Sequence, residues 1–245
     1  RGLGDVYKRQ IQGIDDDTDG YVYAGAKDNK LVKLDPSDGS EEWTVSLSAA
    51  VSSVRVDSNN DLLYVGAGDY VYILNTSDGS TVCSDNDSGW NESRVDYDSS
   101  GNFYFAASDG DFYKYNSSCV QQYSTTVHTD DAELGFVNGD YYYSCSDDTK
   151  TLKIAISDGS VSDTFDEADQ LETCLSLDGS NYVYTGGDSD IIYKLNTSDL
   201  STDWSVDTNR NIYSIGVDPD DEWVFVGGSN SNIFKYDASD GSLLD

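Results

Sequence analysis

Short runs of alternating apolar and polar residues recur along the whole chain and are separated by Asp, Gly, Ser and Asn. Alternation with a period of two predicts half-buried β-strands, and the small polar residues predict tight turns. No apolar run approaches the roughly 18 residues that a membrane-spanning helix needs. The pattern therefore predicts an all-β fold without a membrane span. Four such runs follow one another in one representative stretch: Ser53–Asp57, Asp61–Gly66, Tyr70–Leu74 and Ser80–Cys83.

Two sequence anchors, YVYAG at 21–25 and KLDPSDGS at 33–40, each occur six times in the chain when related forms are counted. Four short strands in a repeat of about 40 residues are typical of a β-propeller blade, in which sheets stack around an axis. The second anchors begin 39 to 41 residues apart, at Lys33, Ile73, Lys114, Lys153, Lys194 and Lys235. The sequence thus predicts a single propeller domain over 11–245 with six four-stranded blades: 11–50, 51–89, 90–129, 130–170, 171–210 and 211–245.

Both ends of the chain carry expectations of their own. The sixth repeat stops at Asp245, where its outermost strand should continue, so the sixth blade is predicted to lack most of that strand. Residues 5–10 (DVYKRQ) resemble the translation of a sequencing adapter, as in a gene assembled from environmental DNA. Residues 1–10 are therefore expected to be non-native. We expect a propeller that is truncated at both ends.

The first repeat carries a motif that resembles a known family. Leu34 and Asp35, then Gly39, then Trp43 give L-D-x-x-x-G-x-x-x-W, and Trp204 holds the tryptophan position in the fifth repeat. The pattern resembles the blade motif of the pyrroloquinoline-quinone (PQQ) repeat propellers, which include the quinoprotein dehydrogenases and an outer-membrane assembly lipoprotein. The resemblance implies that the two tryptophans pack between blades.

The same resemblance raises the question of catalysis. Quinoprotein dehydrogenases hold their quinone near two adjacent cysteines, with a calcium ion and a catalytic Asp close by, and the cysteines of this chain are never adjacent. A hydrolytic triad needs a histidine base. The one histidine, His128, falls in a loop at 125–131, where a surface residue is expected, and no spacing nominates a serine partner. We predict no catalytic residue and no bound cofactor.

Four cysteines, an even number, permit two disulfides in an exported protein without requiring them. Cys83, Cys119, Cys145 and Cys174 belong to different strands of different repeats. Cys145 and Cys174 fall on inner strands of adjacent repeats, where they would be neighbours. Buried thiols are the alternative.

One Asp-rich segment is a candidate metal site. Asp15, Asp17 and Asp19 precede Gly20 in the order D-x-D-x-D-G, which matches the beginning of a calcium-binding loop. The twelfth position of that loop is Ala26 rather than Glu, and the other repeats also place Asp or Asn at this turn. A hairpin turn is therefore the favoured interpretation, with calcium as the alternative.

Five of the nine lysines occupy one position of the repeat. Cations at the same point of successive blades would form a ring able to bind an anionic ligand. The favoured alternative is a ladder of ion pairs with Asp on neighbouring blades, in which the lysine stems cover apolar surface. The five are Lys33, Lys114, Lys153, Lys194 and Lys235.

The chain is strongly acidic, with 46 Asp+Glu against 14 Lys+Arg and a formal net charge of -32. This charge excludes nucleic acid as a partner because phosphate would be repelled. Asp outnumbers Glu by 39 to 7, which the turns explain because Asp favours them. The lack of compensating cations favours a saline habitat, where screening removes the repulsion. Only 37% of residues are hydrophobic and 19 are Tyr, so much of the core must be tyrosine.

We predict a non-catalytic, extracellular or cell-surface propeller that acts as a rigid platform for protein or glycan partners. One alternative is a structural subunit of a surface layer or filament that self-assembles through an open edge strand. Another is an enzyme, either cofactor-free or a degenerate quinoprotein, with its decisive residues on missing blades. The predicted contact surface consists of the connections between blades, at 46–52, 84–92, 123–132, 163–171 and 205–211.

Overall fold

The computed structural model of the protein describes residues 11–87, 89–90, 94–167, 176–178, 181–218, 220–229 and 232–244. These residues form 23 β-strands and contain no α-helix, which confirms the all-β prediction. Within the same ranges, no helix is long and apolar enough to cross a membrane. The adapter-like segment and Cys174 lie outside the described residues.

Consecutive strands pair to form six antiparallel sheets. The first three are β1 Ile11–Asp16, β2 Val22–Ala26, β3 Lys30–Leu34 and β4 Glu41–Ser46; β5 Val51–Asp57, β6 Leu62–Ala67, β7 Tyr70–Asn75 and β8 Thr81–Asn86; β9 Arg94–Tyr97, β10 Phe103–Ala106, β11 Asp111–Tyr115 and β12 Gln121–Thr126. The other three are β13 Ala132–Asn138, β14 Tyr141–Ser146, β15 Lys150–Ala155 and β16 Val161–Asp166; β17 Ser176–Asp178, β18 Tyr182–Gly186, β19 Ile191–Asn196 and β20 Thr202–Asp207; β21 Ile212–Val217, β22 Trp223–Gly228 and β23 Ile233–Asp237.

Each sheet is one propeller blade. Five described sheets have four strands, whereas the sixth has three, followed only by an isolated bridge between Tyr236 and Leu243. The prediction of six blades, with most of the last outer strand lacking, is confirmed. The chain divides into two compact units, the first ending at Ser124 and the second beginning at Thr125. Each unit is described by itself below.

At the turn between the first and second strands of a blade, an aspartate carboxylate accepts a hydrogen bond from a tyrosine hydroxyl. Asp17 accepts hydrogen bonds from the N–H of Tyr21 at 2.9 Å and from the hydroxyl of Tyr23 at 2.9 Å. In the third blade, Asp98 accepts a hydrogen bond from the buried Tyr104 hydroxyl at 2.7 Å. One short carboxylate thus closes the turn and satisfies a core hydroxyl that burial would otherwise leave unpaired. A core built from tyrosine therefore depends on these aspartates.

The turn between the third and fourth strands of a blade contains one residue whose φ is positive, in the left-handed region. In the first blade, Asp38 accepts a hydrogen bond from the Ser40 N–H at 2.9 Å, and Gly39 between them has φ of 72°. Hydrogen bonds from Ser40 hold the pKa of Asp38 below its usual value. The residues at the equivalent left-handed position of later blades are Gly79, Cys119, Gly159, Leu200 and Gly241.

A tryptophan of one blade covers this turn in the next blade. The Trp43 ring lies over Gly79, where a Cβ atom would be 3.0 Å from two ring carbons, and the indole N–H donates to the Thr76 carbonyl at 3.0 Å. In the second unit, Trp204 covers Gly241 in the same way, and its N–H also donates to a turn carbonyl at 3.0 Å. Both tryptophans of the sequence motif therefore lie between blades.

A disulfide replaces this contact between the second and third blades. Cys83 takes the tryptophan position and Cys119 takes the glycine position, 36 residues apart, and the two are bonded with Cα atoms 5.8 Å apart. The φ of 54° at Cys119 costs a residue with a Cβ about 1 kcal/mol or more. The sequence analysis permitted this pair without selecting it. Of the pair that it placed as neighbours, Cys145 is buried.

We predict that replacing both bonded cysteines by serine (C83S/C119S) lowers the free energy of unfolding of the first unit by about 3 to 4 kcal/mol. A loop of this length loses that much closure entropy when it is cross-linked in the unfolded chain. Urea unfolding followed by tryptophan fluorescence measures the change. Wild type in reductant should match the double variant, which should itself be insensitive to reductant; equal midpoints for oxidised and reduced wild type would contradict the prediction.

Candidate interaction surface

The connection between the first and second blades lines an open cleft of about 390 Å³. Its base is aromatic: Tyr70 stacks on Tyr72, with ring centroids 5.9 Å apart, and the Tyr72 hydroxyl accepts a hydrogen bond from the Ser48 N–H at 3.3 Å. Hydroxyls, an amide, a carboxylate and an aromatic ring thus face one space. The residues lining it are Gln12, Ser48, Ala49, Ala50, Ser52, Gly68, Asp69 and Tyr70.

Two local features bring this connection against the second blade. The strand pairing of β5 with β6 shifts register between Val51 and Ser53, and the buried Ser52 hydroxyl donates to the Gly66 carbonyl at 3.1 Å. Gly68 has φ of 53°, and a Cβ there would lie 2.8 Å from that of Ala49. Only glycine allows this approach without strain. The predicted contact residues 46–52 therefore form one wall of a defined cleft.

The other predicted connections differ in character. Segments 84–92 and 163–171 fall partly outside the described residues. The connection at 205–211 is held by its own contacts: the Thr208 hydroxyl donates to the Asp190 carbonyl at 2.8 Å, and the Arg210 guanidinium lies 4.0 Å from the centre of the Phe234 ring. This segment therefore packs closely against its neighbouring blades, unlike the connection that lines the open cleft.

The third connection, 123–132, contains His128. The sequence predicted this histidine at the surface, but it is buried. Its Nδ1 lies 3.1 Å from Oδ1 of Asp148, and its Nε2 lies 3.1 Å from the Ser144 hydroxyl. Both bonds are satisfied when Nδ1–H donates to the carboxylate and Nε2 accepts from the hydroxyl. Asp148 also accepts the Thr129 N–H at 2.9 Å. The sequence spacing nominated no serine partner for His128, and the structure supplies Ser144.

These three side chains follow the order of a Ser–His–Asp triad, but their setting is different. The Ser144 side chain projects from the middle of β14 and is fully buried, and it lines neither described cleft. A nucleophile must reach the atom it attacks. In this structure, the arrangement fastens the loop to the fourth blade and does not present a nucleophile. Sequence reasoning missed it because the histidine and serine lie 16 positions apart on different elements.

The negative charge of Asp148 strengthens the hydrogen bonds that hold this loop on the fourth blade. Burial by itself raises the pKa of the Asp148 carboxyl, but hydrogen bonds from His128 and from the Thr129 N–H outweigh burial and lower that pKa to about 2. The neighbouring Lys150 ammonium, 3.9 Å away, acts in the same direction. The carboxylate is therefore ionised throughout the neutral range and keeps accepting both bonds.

The lysines of the repeated position connect blades, as Lys194 illustrates. Its ammonium donates to the Ala238 carbonyl of the sixth blade at 2.8 Å and lies 3.8 Å from the Asp203 carboxylate and 3.8 Å from the centre of the Tyr182 ring. The residue is only 6% exposed. A buried ammonium is tolerated because carbonyl, carboxylate and aromatic ring together replace water.

Two other lysines at this repeat position also donate to backbone carbonyls of the next blade. Lys33 donates to the Thr76 carbonyl at 3.3 Å, and Lys153 donates to the Ser198 carbonyl at 2.7 Å. Lys153 pairs with Asp163 of its own blade at 3.5 Å, so the predicted ladder of ion pairs between blades is wrong in its partner: backbone carbonyls make the inter-blade contact. Each of these three ammonium groups therefore binds a turn carbonyl of the next blade. The remaining two lie over rings of their own blades, Lys114 over Tyr104 at 5.4 Å and Lys235 over Trp223 at 3.7 Å.

The Asp-rich segment of the first blade has structural partners. Asp15 accepts the N–H of Val56 in the second blade at 2.8 Å, whereas Asp17 closes its own turn and Asp19 is exposed. Among the described residues, no three acidic, histidine or cysteine side chains converge on a position that could hold a metal ion. The geometry favours the hairpin turn over the calcium loop.

Comparison with known proteins agrees with the architecture. Residues 11–117 match the family model described as outer membrane protein assembly factor BamB. A chain in the crystal structure of a mitotic checkpoint complex superposes with a TM-score of 0.81 at 14% identity, over 96% of this chain and 79% of that one. An identity this low shows the fold alone. No curated protein matches the sequence. The β-propeller fold is shown, and the blade motif together with the family match over 11–117 supports a propeller of the PQQ-like repeat type.

For the inter-blade lysines, we predict that Lys194→Met lowers the free energy of unfolding of the second unit by about 1 to 2 kcal/mol. Methionine keeps the apolar stem but removes a charge-assisted hydrogen bond to a carbonyl. Denaturant unfolding measures the effect, with Lys27→Met at an exposed position as the control. Equal stabilities for the two variants would contradict the role assigned to the ammonium.

For the buried carboxylate, we predict an acid-dependent loss of stability that requires Asp148. Because its folded-state pKa lies below the unfolded value, the ionised group stabilises the fold above about pH 4, and this contribution disappears as the pH falls towards 2. Unfolding free energies of wild type and Asp148→Asn should therefore converge as the pH falls through this range. Asp19→Asn, at an exposed carboxylate, should keep the wild-type dependence; a constant gap between wild type and Asp148→Asn would contradict the prediction.

Proposed function

We propose that this propeller is a non-catalytic platform, exported or displayed at the cell surface, that binds a protein partner at the cleft beside the connection 46–52. The observation that carries the proposal is the combination of polar groups and an aromatic ring on a base fixed by Tyr70 and Tyr72. A preformed surface of this kind binds without a large ordering cost. The matched family is described as an assembly factor for outer membrane proteins, which supports a protein partner and a location at the cell envelope.

The disulfide supports the same location. A bond between Cys83 and Cys119 persists in the oxidising conditions met by exported proteins and is rare in the cytosol. The acidic composition supports a saline setting, because salt screens the repulsion within a molecule of formal net charge -32.

Electrostatics narrow the kind of partner. The cleft is lined by one carboxylate, Asp69, and by no lysine or arginine. A molecule of this net charge attracts basic surfaces and repels acidic ones over distances of about the Debye length. We therefore expect a neutral or basic protein surface. A glycan is the alternative, because hydroxyls, an amide and a ring face also suit sugars.

The test uses immobilised protein and an extract of cell-envelope proteins from a salt-adapted microbial community. We predict that Tyr70→Ala weakens retention of the bound partner at least about tenfold, as expected for an aromatic contact in a binding site. Val82→Ala, at an exposed position of an outer strand, should retain the partner like wild type. Equal retention by both variants would contradict the proposal. Loss of binding after glycosidase treatment of the extract would indicate the glycan alternative, and a chemically altered partner would contradict the non-catalytic role.

A further inference from the structure

Asp–Gly bonds, which recur along the chain, can rearrange through their own aspartate side chain. The backbone nitrogen of the following residue can attack the side-chain carboxyl carbon, and glycine leaves this approach unhindered because it has no Cβ. The bond after Asp178 reaches outside the described residues. The other six differ in the hydrogen bonds that their carboxylates accept. The sequence contains Asp–Gly bonds after Asp19, Asp38, Asp78, Asp109, Asp158, Asp178 and Asp240.

Five of these carboxylates are held by the N–H group two residues further on. In the fourth blade, Oδ1 of Asp158 accepts the N–H of Ser160 at 3.0 Å and its hydroxyl at 2.7 Å. Hydrogen bonds from Ser160 keep the pKa of the Asp158 carboxyl below its usual value. The carboxylate stays ionised, and an ionised carboxylate resists attack because it lacks a neutral leaving group. The same N–H bond is present at Asp38, Asp78, Asp109 and Asp240.

Asp19 lacks this bond because a neighbouring aspartate accepts it. The N–H two residues after Asp19 belongs to Tyr21 and donates to Asp17 at 2.9 Å, and Asp17 also accepts the Asp19 N–H at 3.0 Å. Within the ranges that the structure describes, the Asp19 carboxylate forms no hydrogen bond or ion pair. The N–H groups of Gly20 and Gly39 each donate to a turn carbonyl at 2.9 Å, so the carboxylate is what distinguishes the two turns.

The equivalent turn of the third blade has the same hydrogen bonds without an Asp–Gly pair. Asp98 accepts the N–H groups of Ser100 at 2.8 Å and Asn102 at 3.0 Å. Gly101 has φ of 77°, close to the 85° of Gly20. Serine thus occupies the position that Asp19 holds in the first blade. The turn does not require an aspartate there, which provides a matched control variant.

We propose that the Asp19–Gly20 bond is a site of spontaneous isoaspartate formation in the folded protein. The Gly20 nitrogen forms a bond to Cγ of Asp19 and loses its proton, while the bond from Cγ to the carboxyl hydroxyl breaks and water leaves. Water then adds to the main-chain carbonyl carbon of Asp19 in the resulting succinimide. The bond from that carbon to the Gly20 nitrogen breaks, and the nitrogen stays attached to Cγ. One water is lost and one is gained, so no co-reactant is needed.

The rearrangement alters a turn that anchors a core tyrosine. It adds one methylene to the main chain between the N–H groups of Asp19 and Tyr21, both of which the Asp17 carboxylate accepts. The same carboxylate accepts the hydroxyl of the buried Tyr23 at 2.9 Å. Isomerisation therefore changes the spacing of the donors around Asp17 and weakens its hold on the first blade.

The experiment incubates the folded full chain for several weeks at 37 °C and mildly acidic pH, where part of an unperturbed carboxyl is protonated. Peptides are then analysed by mass spectrometry, and isoaspartate is quantified by enzymatic methylation of its free α-carboxylate. The peptide with Asp19 should accumulate isoaspartate at least about tenfold faster than those with Asp38 or Asp158, because a hydrogen bond to an ionised group changes an equilibrium by about this factor. Asp19→Ser, which copies the third blade, should form none in this peptide.

A parallel incubation in concentrated guanidinium chloride tests whether the fold causes the difference. Unfolding removes the turn hydrogen bonds, so the peptides with Asp19, Asp38 and Asp158 should then isomerise at similar rates. Uptake of a heavy oxygen isotope from labelled water into the Asp19 peptide reports the passage through the succinimide. Equal rates at Asp19 and Asp38 in the folded chain, or a tenfold difference that persists in denaturant, would each overturn the proposal.

Discussion

Burial of both faces of each small sheet is the constraint on which this structure depends. A sheet of four short strands cannot cover its own two faces, so each blade needs a neighbour, and equivalent positions make the contact between the first and second blades and between the fifth and sixth. A bulky residue of the fourth strand lies over a left-handed turn of the next blade. A tryptophan ring leaves no room for a Cβ atom at this turn position, which is why glycines, Gly79 and Gly241, lie beneath Trp43 and Trp204. In the third blade, Cys119 holds this turn position and makes the contact between blades through a disulfide bond to Cys83.

The inter-blade lysines show how a rare cation is accommodated in an acidic protein. Lys153 and Lys194 are each 6% exposed, a degree of burial that would disfavour a lone ammonium. Each nevertheless has a turn carbonyl, an aspartate and an aromatic ring around it. The carbonyl belongs to a turn of the next blade, so the hydrogen bond from the ammonium specifies which turn packs against the lysine.

Turn geometry explains part of the acidity of this chain. Many aspartates close turns with their own backbone, and several accept the hydroxyl of a buried tyrosine, as Asp17 does for Tyr23 and Asp109 for Tyr113. Glutamate is longer and closes such turns less well, so these roles explain the preference for Asp. They do not explain the shortage of lysine and arginine, for which the effect of a salty solvent on a highly charged surface remains the physical explanation that we favour.

The sequence by itself determined the all-β class, the forty-residue period, the six blades, the incomplete sixth blade and the packing position of Trp43 and Trp204. These properties follow from strand alternation, turn residues and spacing, which are local and repeat along the chain. Only the tertiary structure decided which partners meet: Cys83 with Cys119 across 36 positions, His128 with Ser144 across 16, and Lys194 with a carbonyl 44 positions away. Such pairs lie on different strands or loops and come together only when adjacent sheets stack in one register, which no local pattern encodes.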